Sequence, residues 1–309
     1  GPGAPVSLLV EVVTQITLPI VILAGAGFGL QKWARFDITT LNRFLVYATF
    51  PCYIVVTLSQ AEIPVGQAWG PAAFILVQFL ALLALGWWTG GALRLTHAPR
   101  AVVALGCAFP NGGNFGIPLI ALAFGAELVF YQVVLTAVYA VVIMLAAPLL
   151  FAGGGGGLRR HLRDLGSNPM VAAVALGLGL NALGLRLPAV IETPAATLGD
   201  AYIGVALVAL GAQLGASDLR VPAAPAVAAV ALRLLAAPLV TAGAVLLLPF
   251  PAAVGDMLIV GACAPVGMLV AIMAAEFRGH AQLAAAAVVA STILSPIVVT
   301  LALVLLRLS

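Results

Sequence analysis

Pro110-Asn111-Gly112-Gly113-Asn114-Phe115-Gly116-Ile117-Pro118 and Ala264-Pro265-Val266-Gly267 place helix breakers inside hydrophobic stretches long enough to cross a bilayer. Backbone at membrane depth must satisfy its own hydrogen bonds, so an interrupted span survives only where protein buries it or where it lines a polar cavity. The interruption occurs twice, about half a chain apart. Gly/Pro-interrupted spans at matching positions of two halves point to the substrate site of a secondary carrier.

Composition agrees with a membrane class. Of 309 residues, 63% are hydrophobic and 7% charged, and the mean hydropathy is +1.20; a soluble globule carries about 25% charged residues. Spans of ~20 residues with short connections leave room for roughly ten transmembrane helices and no soluble domain. The hydrophobic runs predict spans at 7-30, 41-59, 70-93, 101-123, 127-152, 169-185, 195-214, 222-248, 254-275 and 282-306. Gly1-Pro2-Gly3 reads as the scar of a cleaved tag, with no signal-peptide pattern after it. The longest polar connection, 153-168, holds Gly153 to Gly157, Arg159, Arg160, His161 and Arg163, and divides the chain into halves 1-152 and 169-309.

Positive charge sets the expected orientation. The connections after odd-numbered spans carry Lys32, Arg35, Arg43, Arg94, Arg100, Arg159, Arg160, Arg163, Arg220 and Arg278, against Arg186 and Arg307 on the other side. Lys and Arg favour the cytoplasm, so both termini are expected outside and the Gly/Arg linker inside. The net charge of +3 then reports topology, not nucleic-acid binding. Five spans per half make the second half an inverted copy of the first. Phe124-Gly125 echoes Phe277-Arg278-Gly279, and Gly106-Cys107 before Pro110 echoes Gly261-Ala262-Cys263 before Pro265.

Each broken span consists of two half-helices, whose N-terminal ends present unpaired N–H groups and partial positive charge near the midplane. Such ends bind carboxylates and phosphates without a fixed cation. Asn111 and Asn114 add amide donors within one short loop, and Gly112 and Gly113 let the backbone approach a ligand. The bland alternative is that the amides merely satisfy carbonyls freed by Pro110. The second break, Pro265, Val266 and Gly267, supplies helix ends and an apolar wall but no side-chain donor, so selectivity is expected in the first.

Gln132, Thr136 and Tyr139 share one helix face in span five, and Ser291 with Ser295 repeats the pattern in span ten. The serines read as helix–helix glue; Gln132 and Tyr139 fit glue and site equally. Arg233 lies roughly 16 Å into span eight at 1.5 Å per residue, where a cation faces the protein interior. Asp200 is the acid at comparable depth, and a fixed ion pair competes with an attractive field for an anion. His97, His161 and His280 fall in connections, and Cys52, Cys107 and Cys263 lie far apart. Neither set has metal-ligand spacing. No catalytic set appears within the spans, so neither an enzyme nor a cofactor is indicated.

The chain resembles a bacterial member of the auxin efflux carrier family, which includes the plant PIN carriers. The likeness runs from Asn111, Asn114, Gly116 and Pro118 with Phe124-Gly125, through Asn168-Pro169, Gly177, Leu187-Pro188 and Leu210-Gly211-Ala212-Gln213-Leu214, to Arg233, Pro238, Pro265 and Ala275. It implies an all-α, bile-acid symporter/NhaA-like fold of two inverted five-helix repeats, with helices four and nine broken and crossing. It also implies a scaffold of helices 1, 2, 6 and 7, a transport domain of helices 3-5 and 8-10, and a substrate site at the crossing worked by elevator-type alternating access. Small organic anions are the implied substrates and a homodimer the implied assembly, in a bacterial inner membrane. A departure is Ile203-Gly204-Val205 in span seven, where the family often has proline. The residues themselves argue against sodium coupling, since hard cations take oxygen ligands and no acid lies mid-span in 3-5 or 8-10. A potential-driven anion carrier needs none, because one charge crossing ~100 mV already releases about 2.3 kcal/mol. The alternative is a sodium-coupled organic anion symporter of the bile-acid type.

Overall fold

The computed structural model describes residues 4–152, 168–217, 224–277 and 279–308. Most of the 153-168 linker, with Arg220 and Arg278, lies outside the described residues. Among those described, seven helices are long and apolar enough to cross a membrane: α1 Val6–Ala34, α2 Ile38–Gln60, α3 Val65–Ala92, α6 Ala126–Phe151, α8 Ala189–Ala216, α9 Ala224–Val245 and α12 Ala281–Leu308. The shorter ones are α4 His97–Ala108, α5 Gly112–Phe124, α7 Pro169–Ala182, α10 Ala252–Ala262 and α11 Met268–Glu276. Long apolar side chains such as Val77, Leu80, Leu239 and Leu247 are 61–85% exposed, which a bilayer tolerates and water does not. The chain is a multi-pass membrane protein.

Prolines bend the long helices in one recurring way. Pro19, Pro51, Pro118 and Pro238 each follow a widened π-type turn, at Val13–Thr17, Leu45–Thr49, Gly112–Gly116 and Leu232–Ala236. A proline ring clashes with the carbonyl four residues back and offers no N–H. Widening the turn moves that carbonyl aside and keeps the remaining bonds. Helix α7 starts where the sequence places the second half: Asn168 caps it, accepting the Met170 N–H at 2.9 Å, with Pro169 in the first turn.

Small residues set the closest packing. A Cβ on Gly27 would lie 2.0 Å from the Val208 carbonyl oxygen, and one on Gly211 1.7 Å from that of Ala24, so α1 and α8 meet backbone to backbone. Gly177 of α7 sits against Leu58 of α2, and Gly199 of α8 against Tyr53. Helices α1, α2, α7 and α8 thus pack on one another. Helix α4 packs instead on α3, α9 and α12, and every residue from Ala101 to Ala108 is buried. A segment apolar all round, as Ala101 to Ala108 is, belongs in the centre of a bundle, and that position carries the first break into the interior. The turn from α5 to α6 is made at Gly125, with φ of 81°.

Candidate functional site

The two breaks touch each other. Phe109 to Asn111 and Cys263 to Gly267 are non-helical, and Pro110 forms an antiparallel bridge with Val266. The Asn111 N–H donates to the Pro265 carbonyl at 2.7 Å, and the Gly267 N–H donates to the Phe109 carbonyl at 2.9 Å. This register asks nothing of the N–H that Pro110 lacks. The Val266 N–H turns the other way, to Ser291 Oγ at 3.0 Å, and Ser295 donates to the Cys263 carbonyl at 2.8 Å. Both serines hold the second break to α12, as the glue reading expects. Gly267 is required by proximity, since a Cβ there would lie 2.3 Å from the Phe109 ring. The breaks therefore satisfy each other's backbone at a depth where an unpaired group costs several kcal/mol.

Arg233 closes the remaining ends. Fully buried in the widened turn of α9, it donates through Nη1 to the carbonyls of Cys107 at 3.0 Å and Ala108 at 3.4 Å, and through Nη2 to that of Ala262 at 2.7 Å. These are the last carbonyls of α4 and α10. The two C-terminal ends together carry about one negative elementary charge, which the guanidinium offsets. About one positive charge is then left on the N-terminal ends of α5 and α11.

The ion pair suggested between Arg233 and Asp200 is not formed. Asp200 is exposed and lines a cavity of about 810 Å³ with Tyr53, Gln60, Glu62 and Glu127. Depth along a span does not fix which side of the helix a residue faces, and Asp200 faces the cavity.

Asn111 is 7% exposed, and its Nδ2 has no hydrogen-bond partner among the described residues. Asn114 is half-buried and stands in the first turn of α5, not in the loop shared with Asn111 that the sequence suggested; the chain resumes its helix at Gly112. Gln132 donates to the Gly112 carbonyl and to Thr136 Oγ1, both at 3.3 Å, so it braces the break. Tyr139 donates to Gln78 Oε1 at 3.2 Å, and Gln78 Nε2 donates to Thr241. Pro110, Gln132 and Tyr139 border a cavity of about 10 Å³, room for one water at most. The structure thus gathers Pro110, Asn111, Gly112, Gly113, Asn114, Gln132, Tyr139, Pro265, Val266, Gly267 and Arg233, and leaves Asp200 out. The sequence reading passed over Gln78, Thr241, Phe50 and Tyr202. Gln78 left a signal, as a polar side chain inside the apolar run Phe74 to Leu80.

A long apolar helical bundle with two interrupted helices pinned together at a buried cation defines a membrane transporter class. A family model described as Membrane transport protein matches residues 12–161 and 158–303, and the chain belongs to this family, that of the auxin efflux carriers. Family members are transporters, not enzymes. No curated protein matches the chain.

Proposed function

We propose that the chain is a carrier of small organic anions, carboxylates or auxin-like acids, with the binding site at the crossing. The observation that carries this reading is Arg233: it occupies the carbonyl ends of α4 and α10, and the free N-terminal ends and the unpartnered Asn111 amide are left to a ligand. Donors in excess of acceptors select an anion. The carbonyl ends that a coupling sodium would use are filled by a fixed cation, so transport is not sodium-coupled.

In this reading α4 with α5 and α10 with α11 each count as one crossing helix, making ten helices in two inverted repeats. The antiparallel sense of the Pro110–Val266 bridge is what inversion would produce. Helices α1, α2, α7 and α8 form the scaffold, and the others move as the transport domain in an elevator-type cycle. Both termini face outward from a bacterial inner membrane, and a homodimer is the working assembly. Substrate-induced current in proteoliposomes tests the proposal, with malonate, malate and indole acetate offered with and without sodium. A saturable current independent of sodium and lost in Asn111→Ala is expected. Current only with sodium would replace this reading with the symporter.

A further inference from the structure

Two buried polar atoms without partners among the described residues border the first turn of α5. One is Asn111 Nδ2; the other is Tyr202 Oη of α8. Tyr202 is 0% exposed, and α8 packs on Gly112–Gly116. A Cβ placed on Gly113 would lie 3.6 Å from Tyr202 Oη, so the hydroxyl faces the glycine backbone across a gap that a methyl group would fill. The ring is fixed: it stacks on Phe50 at 4.6 Å and 8°, and lies 5.0 Å from Tyr53, which borders the large cavity. A buried hydroxyl left without a partner is costly. A tyrosine that needed only to fill this volume would serve better as phenylalanine.

We propose that Tyr202 is a substrate ligand, its hydroxyl donating to the carboxylate of an organic anion whose other side is held by Asn111 and the N-terminal end of α5. This rests on the anion-carrier reading and deepens it. The site then spans two bodies, Asn111 from the crossing and Tyr202 from α8, and an anion bound between them ties α8 to the crossing. Apolar groups of the substrate meet the Phe50 face. A hydroxyl fixed between two rings specifies a donor at one point, so the position discriminates against analogues of the same shape that lack an acceptor there.

The experiment compares the full chain in detergent with Tyr202→Phe and Asn111→Ala, measuring thermal unfolding without ligand and the affinity for malonate and indole acetate. Without ligand, Tyr202→Phe is expected to melt at or above the wild-type temperature, because the lost hydroxyl has no protein partner. Its Kd for a carboxylate probe is expected to rise roughly ten- to a hundredfold, the loss of one hydrogen bond to a charged group. Unchanged affinity in Tyr202→Phe beside weakened binding in Asn111→Ala would overturn the role of Tyr202 and leave the anion site standing. A lower melting temperature without ligand would also overturn it, by revealing a structural partner. Wild-type protein that binds neither probe would overturn both.

Discussion

Arg233 and Asn111 divide the work of the crossing, and their variants should fail differently. Replacing Arg233 with Ala strands the carbonyls of Cys107, Ala108 and Ala262. A bond to a charged group contributes about 1.5–3 kcal/mol. Arg233→Ala is therefore expected to lower thermal stability by several degrees as well as abolishing binding. Arg233→Lys should rescue only part, because one ammonium cannot reproduce the fork that reaches two helix ends. Asn111→Ala removes an amide nitrogen with no protein partner, so unfolding should stay near wild type while anion binding weakens. Equal losses in both assays would instead make Asn111 a structural amide. At the start of α2, Asp37 accepts the Thr40 hydroxyl at 2.5 Å and the Thr39 N–H at 3.0 Å. These bonds, the Thr40 hydroxyl first, hold its pKa below the ordinary 3.8. A depressed carboxylate stabilises above its unfolded pKa and loses that contribution as pH falls through the folded one. Asp37→Ala should thus melt lower than wild type at pH 7, with the difference fading below about pH 3.8 when melting curves are followed against pH.

At the scale of the element, the contact of α1 with α8 rests on Gly27, Gly211 and Gly215 and is the part least tolerant of added volume. Gly211→Ala would put a methyl 1.7 Å from the Ala24 carbonyl oxygen, forcing the helices apart at a cost of about 1–3 kcal/mol. Gly204→Ala, on the same helix with nothing within 4 Å, should be neutral or slightly stabilising. Thermal melts of the pair isolate packing from helix propensity, and equal effects would sink the argument. How such elements were legible in advance differs case by case. The breaks were readable because Pro110 and Pro265 interrupt long apolar runs, and the two sites prove to lie against each other. Helix α7 was readable from the apolar run that follows the 153-168 connection, while the cap made by Asn168 went unread. Gly27 and Gly211 were visible as glycines but not as contacts, since nothing along a chain says which backbone a glycine faces. Arg233 was expected to face the protein interior and is buried, yet its partners are carbonyls 29 to 126 residues away, and carbonyls leave no mark in a sequence. Asp200 misled because position along a span gives depth but not what a residue faces, and the cavity it lines is shaped together with α2, α3 and α6.

For the whole molecule, two cavities along α8 are unequal. The cavity of about 810 Å³ opens between α2, α3, α6 and α8, while the space between α8, α11 and α12, beside Ser217, Met268 and Thr292, is about 30 Å³. A carrier that alternates must exchange these volumes, closing the first as the second opens. With native cysteines replaced, Thr57→Cys lines the large cavity and should react readily with a polar thiol reagent, whereas Thr292→Cys should react slowly. Substrate that populates the opposite state should slow the first and speed the second. Parallel changes at both positions would argue for a channel or a simple gate. The large cavity also carries Glu62, Glu127 and Asp200, and like charge at a mouth lowers the local concentration of an anion. Neutralising the three as Glu62→Gln, Glu127→Gln and Asp200→Asn is expected to raise the apparent affinity for an anion offered from that side, most at low salt, where the Debye length exceeds about 10 Å. Because the three line the mouth and lie outside the crossing, the affinity at saturating salt should remain that of the wild type. A gain that persisted at high salt would mean that one of these carboxylates acts inside the binding site itself.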